Sequence, residues 1–577
     1  MTESIQETKK NRRHQKINKP IFTALLLLSL AIFSIEFVFD VRQNLAWYHT
    51  VLLFDLCLIG AYFSYVLSLI KQNRHSLLEL VNKNKADLAY FIVVCFFLFI
   101  PRLAAALIIV RLIFNFLARV LESSWGAKLA TAVNLRPSQT LALSFLGLIA
   151  TGALLLTFPA ATTNGQGAKL IDAIFTMTSA SCVAGLTLLD IGMEFSRFGQ
   201  GVILLGIQAG GLGIMVLSAA FTLLVGGTIP LKRQVGLSRV LDISTPDGLR
   251  NLIRAVTVTT IVIEFIGAAS LFILCSDEVP GFTDRLWWAV FHTISAFCNC
   301  GLGLFSDSLS VFINKPVVCL IFMSLITAGS LGFFVFSDIT NREVWSIKKP
   351  KAIWSRLQIQ SKVVIVATIF LNTFGMLVFL FFEYDGVLRG LPFESKILAS
   401  LFETVNLRSA GFSLVSLEGL TQPSIMFTIA YMFIGAGPGS TGGGIKLTTA
   451  AISVMAVRAM LWGRRDVEIL GRRIAPEVVN RSLAIMLISG TIVGVALTLL
   501  LATQNISFDK LFFETVSAFG TVGFTIDSTS HLNSTGKILI ICIMFIGRIG
   551  PLTLALAVGE KNKAQGYRYP KGNIAVG

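Results

Sequence analysis

The sequence predicts an all-α membrane protein built from four M1–pore loop–M2 repeats around a pseudo-fourfold central pore, with extra N-terminal transmembrane helices ahead of them. Three observations carry this prediction. Of 577 residues, 54% are hydrophobic and only 14% charged, where a soluble domain carries about a quarter charged. Apolar runs of bilayer-spanning length, about 20 residues, recur along the chain. A short semi-polar phrase ending in glycine occurs four times, each time between two apolar runs. Together these exclude a disordered chain, a soluble enzyme domain and an ordinary nucleic-acid binder.

The N-terminal part comes first. Residues 1–20 form a polar tail with Lys9, Lys10, Arg12, Arg13, Lys16 and Lys19. Residues 21–135 read as a membrane extension. Its apolar runs at 21–39 and 50–70 are followed by a linker carrying Lys71, Arg74, Lys83 and Lys85. The run from Ile21 is long, leads into further spans and lacks a small-residue cleavage site, so it reads as a first transmembrane helix rather than a signal peptide. The stretch 87–118 is interrupted by Pro101-Arg102 and Arg111. Either it bends at Pro101 and returns to its own side, the preferred reading, or the N-terminus lies outside. Arg102, Arg111 and Arg119 are too widely spaced for a gating helix and read as helix-end anchors. No partner is evident for Glu36 or Asp55 in the first two spans.

From residue 141 the layout is regular, with spans near 141–159, 198–224, 251–274, 313–336, 362–383, 423–457, 479–503 and 536–559. Alternate connections collect base: Lys232, Arg233, Arg239, Arg250 and Arg254; then Arg342, Lys348, Lys349, Lys351, Arg356 and Lys362; then Arg458, Arg464, Arg465, Arg472, Arg473 and Arg481; then Lys561, Lys563, Arg568 and Lys571. The others are poor in base and hold Asp277, Glu278 and Asp284, or Glu383, Asp385 and Glu394. The positive-inside rule then puts the C-terminus in the cytoplasm and, with the preferred bend, the N-terminus too. The expected units are pore repeats at 136–240, 241–350, 351–470 and 471–577; the third carries a gate loop and the fourth a basic tail. Four of the eight cysteines (Cys57, Cys95, Cys319, Cys542) lie in apolar runs, and Cys298-Asn299-Cys300 lacks redox or zinc spacing, so no disulfide framework is implied.

The four phrases run from Phe175 to Thr187, Phe291 to Leu304, Phe402 to Ser413 and Phe513 to Thr525. Their glycines, Gly185, Gly301, Gly411 and Gly523, stand 116, 110 and 112 residues apart. About 10 residues of helix rise about 15 Å, half of the hydrocarbon thickness, so each phrase must enter and turn back. A turn at that depth must line protein or water. Glycine allows φ > 0 and close approach of a ligand, and a short helix aims its negative end at the turn. Four such turns give carbonyls that can replace an ion's hydration shell. A single small-residue and glycine pair would be helix packing, but four in register are not explained that way. The candidate potassium filter is Val183, Ala184, Gly185, Asn299, Cys300, Gly301, Ser409, Ala410, Gly411, Thr521, Val522 and Gly523.

The span at 423–457 holds Gly435, Gly437, Pro438, Gly439, Gly442, Gly443 and Gly444. With glycine costing about 1 kcal/mol and proline about 3 in a helix, it must break at membrane depth. Arg548 sits centrally in an otherwise apolar span, 538–559, and requires a cavity or a partner, a gate-loop carbonyl being one candidate and snorkelling the plain alternative. Lys446 either joins that site or reaches the cytoplasmic surface. Glu403 and Glu514 read as acids near helix N-termini, for which capping suffices. His292 reads as a packing or hydrogen-bonding residue, and Glu264 as facing protein or water.

These motifs, with Phe433 to Lys446, Gly547-Arg548-Ile549-Gly550-Pro551 and Arg136-Pro137-Ser138-Gln139, resemble the TrkH/TrkG/KtrB superfamily of potassium transporters, related to plant HKT proteins. The resemblance runs from about Arg136 to Gly559 and leaves out residues 1–125. It implies four M1–pore loop–M2 units per subunit, a homodimer, and potassium uptake across the plasma membrane, the bacterial inner membrane, by a multi-pass transporter, channel-like or a symporter. Potassium is the transported substrate; no organic cofactor is implied. It assigns Gly435 to Gly444 to an intramembrane gate, and Arg548 to an electrostatic barrier beside it. It also implies a separate cytoplasmic nucleotide-binding ring subunit, for which the basic loops offer a docking surface when they do not contact membrane lipid. In plant relatives a serine at the position of Gly185 accompanies sodium preference, so Gly185 favours potassium. Cys300, Leu302 and Ser409 depart from the usual residues and leave a sodium-conducting or poorly selective transporter as the alternative. An enzyme or scaffold is disfavoured: H-E-x-x-H, G-x-S-x-G with partners and a complete phosphate loop are absent from the sequence.

Overall fold

The structure, a computed structural model, describes residues 137–213, 246–339 and 354–551. The expected N-terminal tail and extension, most of the first two basic connections and the C-terminal tail lie outside the described residues. One helical succession recurs four times: a first helix, a short helix, a glycine turn and a second helix. The first unit has α1 (Pro137–Leu156), α2 (Leu170–Cys182) and α3 (Arg197–Leu212). The second has α4 (Pro246–Leu274), α5 (Phe282–Phe297), α6 (Pro316–Leu331) and α7 (Phe333–Ile339). The third has α8 (Ile359–Glu383), α9 (Phe393–Asn406), α10 (Gln422–Met432) and α11 (Leu447–Leu461). The fourth has α12 (Pro476–Thr503), α13 (Phe508–Gly520) and α14 (Ser534–Ile549). Among the described residues the only sheet is a hairpin between the third and fourth units, Glu468–Ile469 paired with Arg472–Arg473.

The long helices are membrane helices by composition. Val256–Leu274 within α4, α8 and α12 are long and apolar enough to cross, with mean hydropathy 2.0, 2.4 and 2.4. They expose Phe265, Phe370, Phe381 and Leu487, a large apolar surface that belongs in lipid rather than water.

The second helices differ from the continuous spans expected. Instead of running through 198–224, 313–336 and 536–559, they stop at Leu212, Leu331 and Ile549. The cause is a glycine in the left-handed region after each: Gly213 at φ 78°, Gly332 at φ 92° and Gly550 at φ 89°. At Gly332 the chain bends by 93° into α7. A hydropathy window does not register one glycine, so the runs looked unbroken. Three residues earlier stand Gly210, Gly329 and Gly547, each pressed on a carbonyl at the end of a short helix. A Cβ there would lie 1.9 Å from Ser181 O, 1.9 Å from Phe297 O and 2.0 Å from Phe519 O, respectively.

The short helices also start earlier than expected, by five to nine residues before the shared phenylalanine. At 13 to 16 residues they rise about 20–24 Å and still cannot cross about 30 Å. Phe175, Phe291, Phe402 and Phe513 are fully buried. Each second helix packs on the short helix of the next unit: α3 on α5, α6 on α9, α10 on α13 and α14 on α2. The cycle closes with Lys537 Nζ 2.7 Å from Asp172 Oδ1, tying the fourth unit to the first.

This packing makes a prediction. Gly210→Ala drives a methyl group into a carbonyl and should lower unfolding stability by about 2–3 kcal/mol. Gly147→Ala, where nothing lies within 4 Å, should leave stability unchanged or raise it by up to about 1 kcal/mol. Thermal melting in detergent compares the two.

Candidate functional site

The four short helices end in one backbone pattern. A non-glycine residue takes the left-handed conformation: Val183 at φ 57°, Asn299 at φ 60°, Ser409 at φ 63° and Thr521 at φ 50°. Two residues on, glycine repeats it: Gly185 at φ 77°, Gly301 at φ 76°, Gly411 at φ 79° and Gly523 at φ 96°. The first left-handed residue closes the helix. Val183 N–H bonds Ala180 O at 3.2 Å and Ala184 N–H bonds Ser179 O at 2.8 Å; Thr521 and Val522 do the same with Ala518 O and Ser517 O. Glycine is usual at such a cap, and each side-chain-bearing residue there costs about 1–2 kcal/mol. The surroundings hold that strain. Ser409 Oγ donates to Gly520 O at 2.9 Å. Asn299 lies among the carbonyls of Ala296, Phe297 and Ile326, and its amide is assigned as donating to them.

The four glycines are neighbours. A Cβ on Gly185 would lie 2.4 Å from Cys300 O; on Gly301, 2.3 Å from Ala410 O; on Gly411, 2.4 Å from Val522 O; and on Gly523, 3.0 Å from Ala184 O. Each turn therefore abuts the carbonyl of the next, and the order returns to its start. A side chain at any of the four would fill the ring. A cavity of ≈ 360 Å³ opens over it, walled by residues that follow the glycines, Thr187, Asp190, Ser413 and Thr525 among them. Nearby, the Ser530 hydroxyl at 2.9 Å and then His531 hold the Asp527 carboxyl below its ordinary range.

On the other side of the ring lies the glycine-rich segment between α10 and α11, laced to the surrounding units. Gly437 N–H bonds Ser330 O at 2.8 Å, Thr441 N–H bonds Gly329 O at 3.3 Å, and Gly444 N–H bonds Gly547 O at 3.3 Å. Two bonds reach the turns: Thr441 Oγ1 to Phe297 O at 3.1 Å and Gly443 N–H to Thr521 Oγ1 at 3.1 Å. Its glycines are needed for space. A Cβ on Gly435 would lie 2.1 Å from Gly443 O, and one on Gly443 2.3 Å from Thr521 Oγ1. Arg548 is not central in a continuous span; the break at Gly550 puts it at the end of α14. Its guanidinium donates to Thr441 O, Gly210 O and Gly211 O, so one side chain joins the segment to the last turn of α3. Helix-end carbonyls lack intrahelical partners and carry partial negative charge, which suits a buried cation. Lys446 Nζ turns back onto Gly442 O at 2.8 Å.

Glu403 and Glu514 do not sit at helix N-termini as expected, because α9 and α13 begin at Phe393 and Phe508. They are fully buried and grip the chain returning from the turn. Glu403 Oε1 accepts from Leu414 N–H at 2.7 Å and Ser413 Oγ at 3.0 Å. Glu514 accepts from Thr525, Ser528 and Thr529. His292 Nδ1 lies 2.9 Å from Trp288 O, and its Nε2 accepts from Leu304 N–H at 3.2 Å. Glu264 accepts from Gln208 Nε2 at 3.2 Å.

The model of the TrkH cation transport protein family matches residues 100–565, beginning ahead of Arg136. The chain is 37% identical over 441 residues to the Ktr system potassium uptake protein B of Vibrio alginolyticus, covering 75% of this chain and 94% of that one. It is 33% identical over 451 residues to the potassium/sodium uptake protein NtpJ of Enterococcus hirae, covering 77% and 98%. Its structure is similar to the crystal structure of the potassium transporter TrkH from Vibrio parahaemolyticus, with TM-score 0.59 and 18% identity over 72% of this chain and 83% of that chain. At that identity the likeness bears on the fold alone.

The Arg548 contacts predict a local effect. A hydrogen bond to a charged group contributes about 1.5–3 kcal/mol, so Arg548→Gln should speed amide exchange across residues 435–446 about tenfold or more. Hydrogen exchange by mass spectrometry reads this, with the α12 peptides as the unchanged control.

Proposed function

The chain belongs to the TrkH family of cation transport proteins, a family of membrane transporters and not of enzymes, and on that premise we propose that it takes up potassium across the plasma membrane as a selective, channel-like transporter. The observation that carries the reading is the closed ring of four glycine turns. Left-handed residues alternate with the intervening Ala184, Cys300, Ala410 and Val522, which are absent from the residues of positive φ; such alternation turns successive carbonyls to one side. On this reading Val183 to Gly185, Asn299 to Gly301, Ser409 to Gly411 and Thr521 to Gly523 are the filter, and their carbonyls stand in for the water of a dehydrated potassium ion. The four units, 136–240, 241–350, 351–470 and 471–577, surround it as M1–pore loop–M2 repeats about a pseudo-fourfold axis, with residues 21–135 as additional membrane helices. The relatives named as potassium uptake proteins support the choice of ion.

Below the filter, Gly435, Gly437, Gly439, Gly442, Gly443, Gly444 and Lys446 form the gate, held shut across the pore by Arg548. The membrane potential drives the ion, at about 2.3 kcal/mol per charge per 100 mV, with or without a coupled ion. A relative that is part of a Ktr system supports a separate regulatory subunit. We assign it to a cytoplasmic, nucleotide-binding ring that docks on the basic loops of a homodimer whose termini face the cytoplasm. The second reading, a sodium-conducting or mixed transporter, is favoured by the relative named for both ions and by Cys300, Leu302 and Ser409.

Rubidium-tracer uptake into liposomes of the purified chain, driven by an imposed potential, tests both readings. Potassium should block uptake and sodium hardly at all; equal block moves the reading to the mixed transporter. Arg548→Gln should raise flux in the absence of any partner. Flux absent from that variant and from a folded, shortened-loop variant removes the pore reading. Gly185→Ser, whose side chain would meet Cys300 O, should lower the preference for potassium over sodium about tenfold, equivalent to about 1.4 kcal/mol.

A further inference from the structure

One position recurs in all four units and has no part in the reading above. It is the residue after the shared phenylalanine of each short helix: Thr176, His292, Glu403 and Glu514. All four side chains are fully buried. Where they form bonds toward the returning chain, the bonds reach residues two to six positions past the turn glycine. The position is therefore a tether between the short helix and the segment that carries the filter back out.

The tether is graded around the ring. Thr176 Oγ1 has no hydrogen-bond partner among the described residues. His292 accepts one bond, from Leu304 N–H at 3.2 Å, while its other nitrogen is fixed on Trp288 O. Glu403 accepts two on Oε1, and its Oε2 has no partner among the described residues. Glu514 uses both oxygens: Thr525 at 2.8 Å and Ser528 at 2.6 Å on Oε2, and Thr529 on Oε1. A bond to a carboxylate is stronger than one to a neutral acceptor, so the fourth unit holds its return segment hardest and the first does not hold it through this position.

This bears on ion choice. Potassium and sodium carry the same charge; where selectivity comes from cavity size, a ring of carbonyls rejects the smaller ion to the extent that it does not close around it. The return segments are continuous with the ring, so whatever pins them resists that closure. We infer that Glu514 and Glu403 are positioning residues of the filter, and that the preference for potassium over sodium depends on the hydrogen bonds they accept: on Glu514 most, on Glu403 next, and on Thr176 not at all. The inference rests on the filter reading.

The test uses the full chain in liposomes, with rubidium uptake competed by potassium and by sodium, and wild type measured beside every variant. Glu514→Ala should reduce the potassium-to-sodium competition ratio about tenfold, or about 1.4 kcal/mol, and Glu403→Ala should reduce it about threefold. Glu403→Gln keeps an acceptor for Leu414 N–H and Ser413 Oγ, but a weaker, neutral one, so its ratio should fall between those of wild type and Glu403→Ala. Thr176→Ala should keep the wild-type ratio. A merely structural role would lower the number of active transporters and leave the ratio where it was. Should Glu514→Ala elute as aggregate, Thr529→Val removes a single donor and should lower the ratio about twofold to threefold. The inference is overturned when folded Glu514→Ala or Thr529→Val transports with the wild-type ratio, or when Thr176→Ala moves it as far as Glu514→Ala does. A wild type without potassium preference removes the filter reading and the inference together; a selective wild type with unmoved variants removes the inference alone.

Discussion

Every backbone amide and carbonyl at membrane depth needs a partner, because hydrocarbon supplies none. A chain that turns back halfway across leaves such groups bare. Four segments that turn back at one place can shield each other's turns from lipid. That constraint accounts for the ring: each turn abuts the carbonyl of the next, and Gly185, Gly301, Gly411 and Gly523 are where that contact leaves no room for a side chain. It also accounts for the cycle of helices outside the ring, in which every second helix covers the following short helix. Remove one unit and the turns on both sides of it would face lipid.

Helices in lipid gain little from burying apolar surface against each other, so close packing and polar contacts must hold the cycle. The structure uses both. Gly210, Gly329 and Gly547 let second helices lie directly on the carbonyls that end the short helices. Phe175, Phe291, Phe402 and Phe513 are fully buried in the apolar clusters that also hold residues of the turns and return segments. The single ion pair between the first and fourth units among the described residues, Asp172 with Lys537, is weak evidence for stability, since removing two charges from water offsets much of their attraction. Losing one partner would strand the other in a poorly solvated position, so the pair specifies which helices meet.

Much of this was legible in the sequence. Hydropathy located the long helices, and the recurring glycine phrase located the four turns. Two things were missed for physical reasons. The breaks at Gly213, Gly332 and Gly550 were averaged away in apolar windows, although the glycine three residues before each (Gly210, Gly329, Gly547) repeats the spacing in three units. The shared phrases begin at their phenylalanines, and a helix read from there makes caps of Glu403 and Glu514. The acids that do occupy the first turns are Asp172, Asp284, Glu394 and Asp509. Glu403 and Glu514 lie deeper, and a carboxylate there is tolerated only because the returning chain brings donors to it. That partnership joins residues across a turn, which helical periodicity alone does not show.

On the proposed reading, the same accounting explains why one arginine can hold a gate. A unit charge about 10 Å from a permeating cation, at an effective dielectric constant of about 20, opposes it by about 1.7 kcal/mol. That is close to the roughly 2.3 kcal/mol which 100 mV supplies. On that reading Arg548 is a barrier comparable to the driving force, and moving it away would speed flow by about one order of magnitude. It is held by three carbonyls on two elements, α3 and the glycine-rich segment. The backbone of the segment is closed on itself only at its ends, where Gly435 N–H bonds Ile445 O at 2.9 Å and Leu447 N–H bonds Ala436 O at 3.0 Å; between them it is fastened by single bonds to several neighbours. Shifting it would release Thr441 O from Arg548 and Gly443 N–H from Thr521 together, so the barrier and one wall of the filter are coupled through the same few residues.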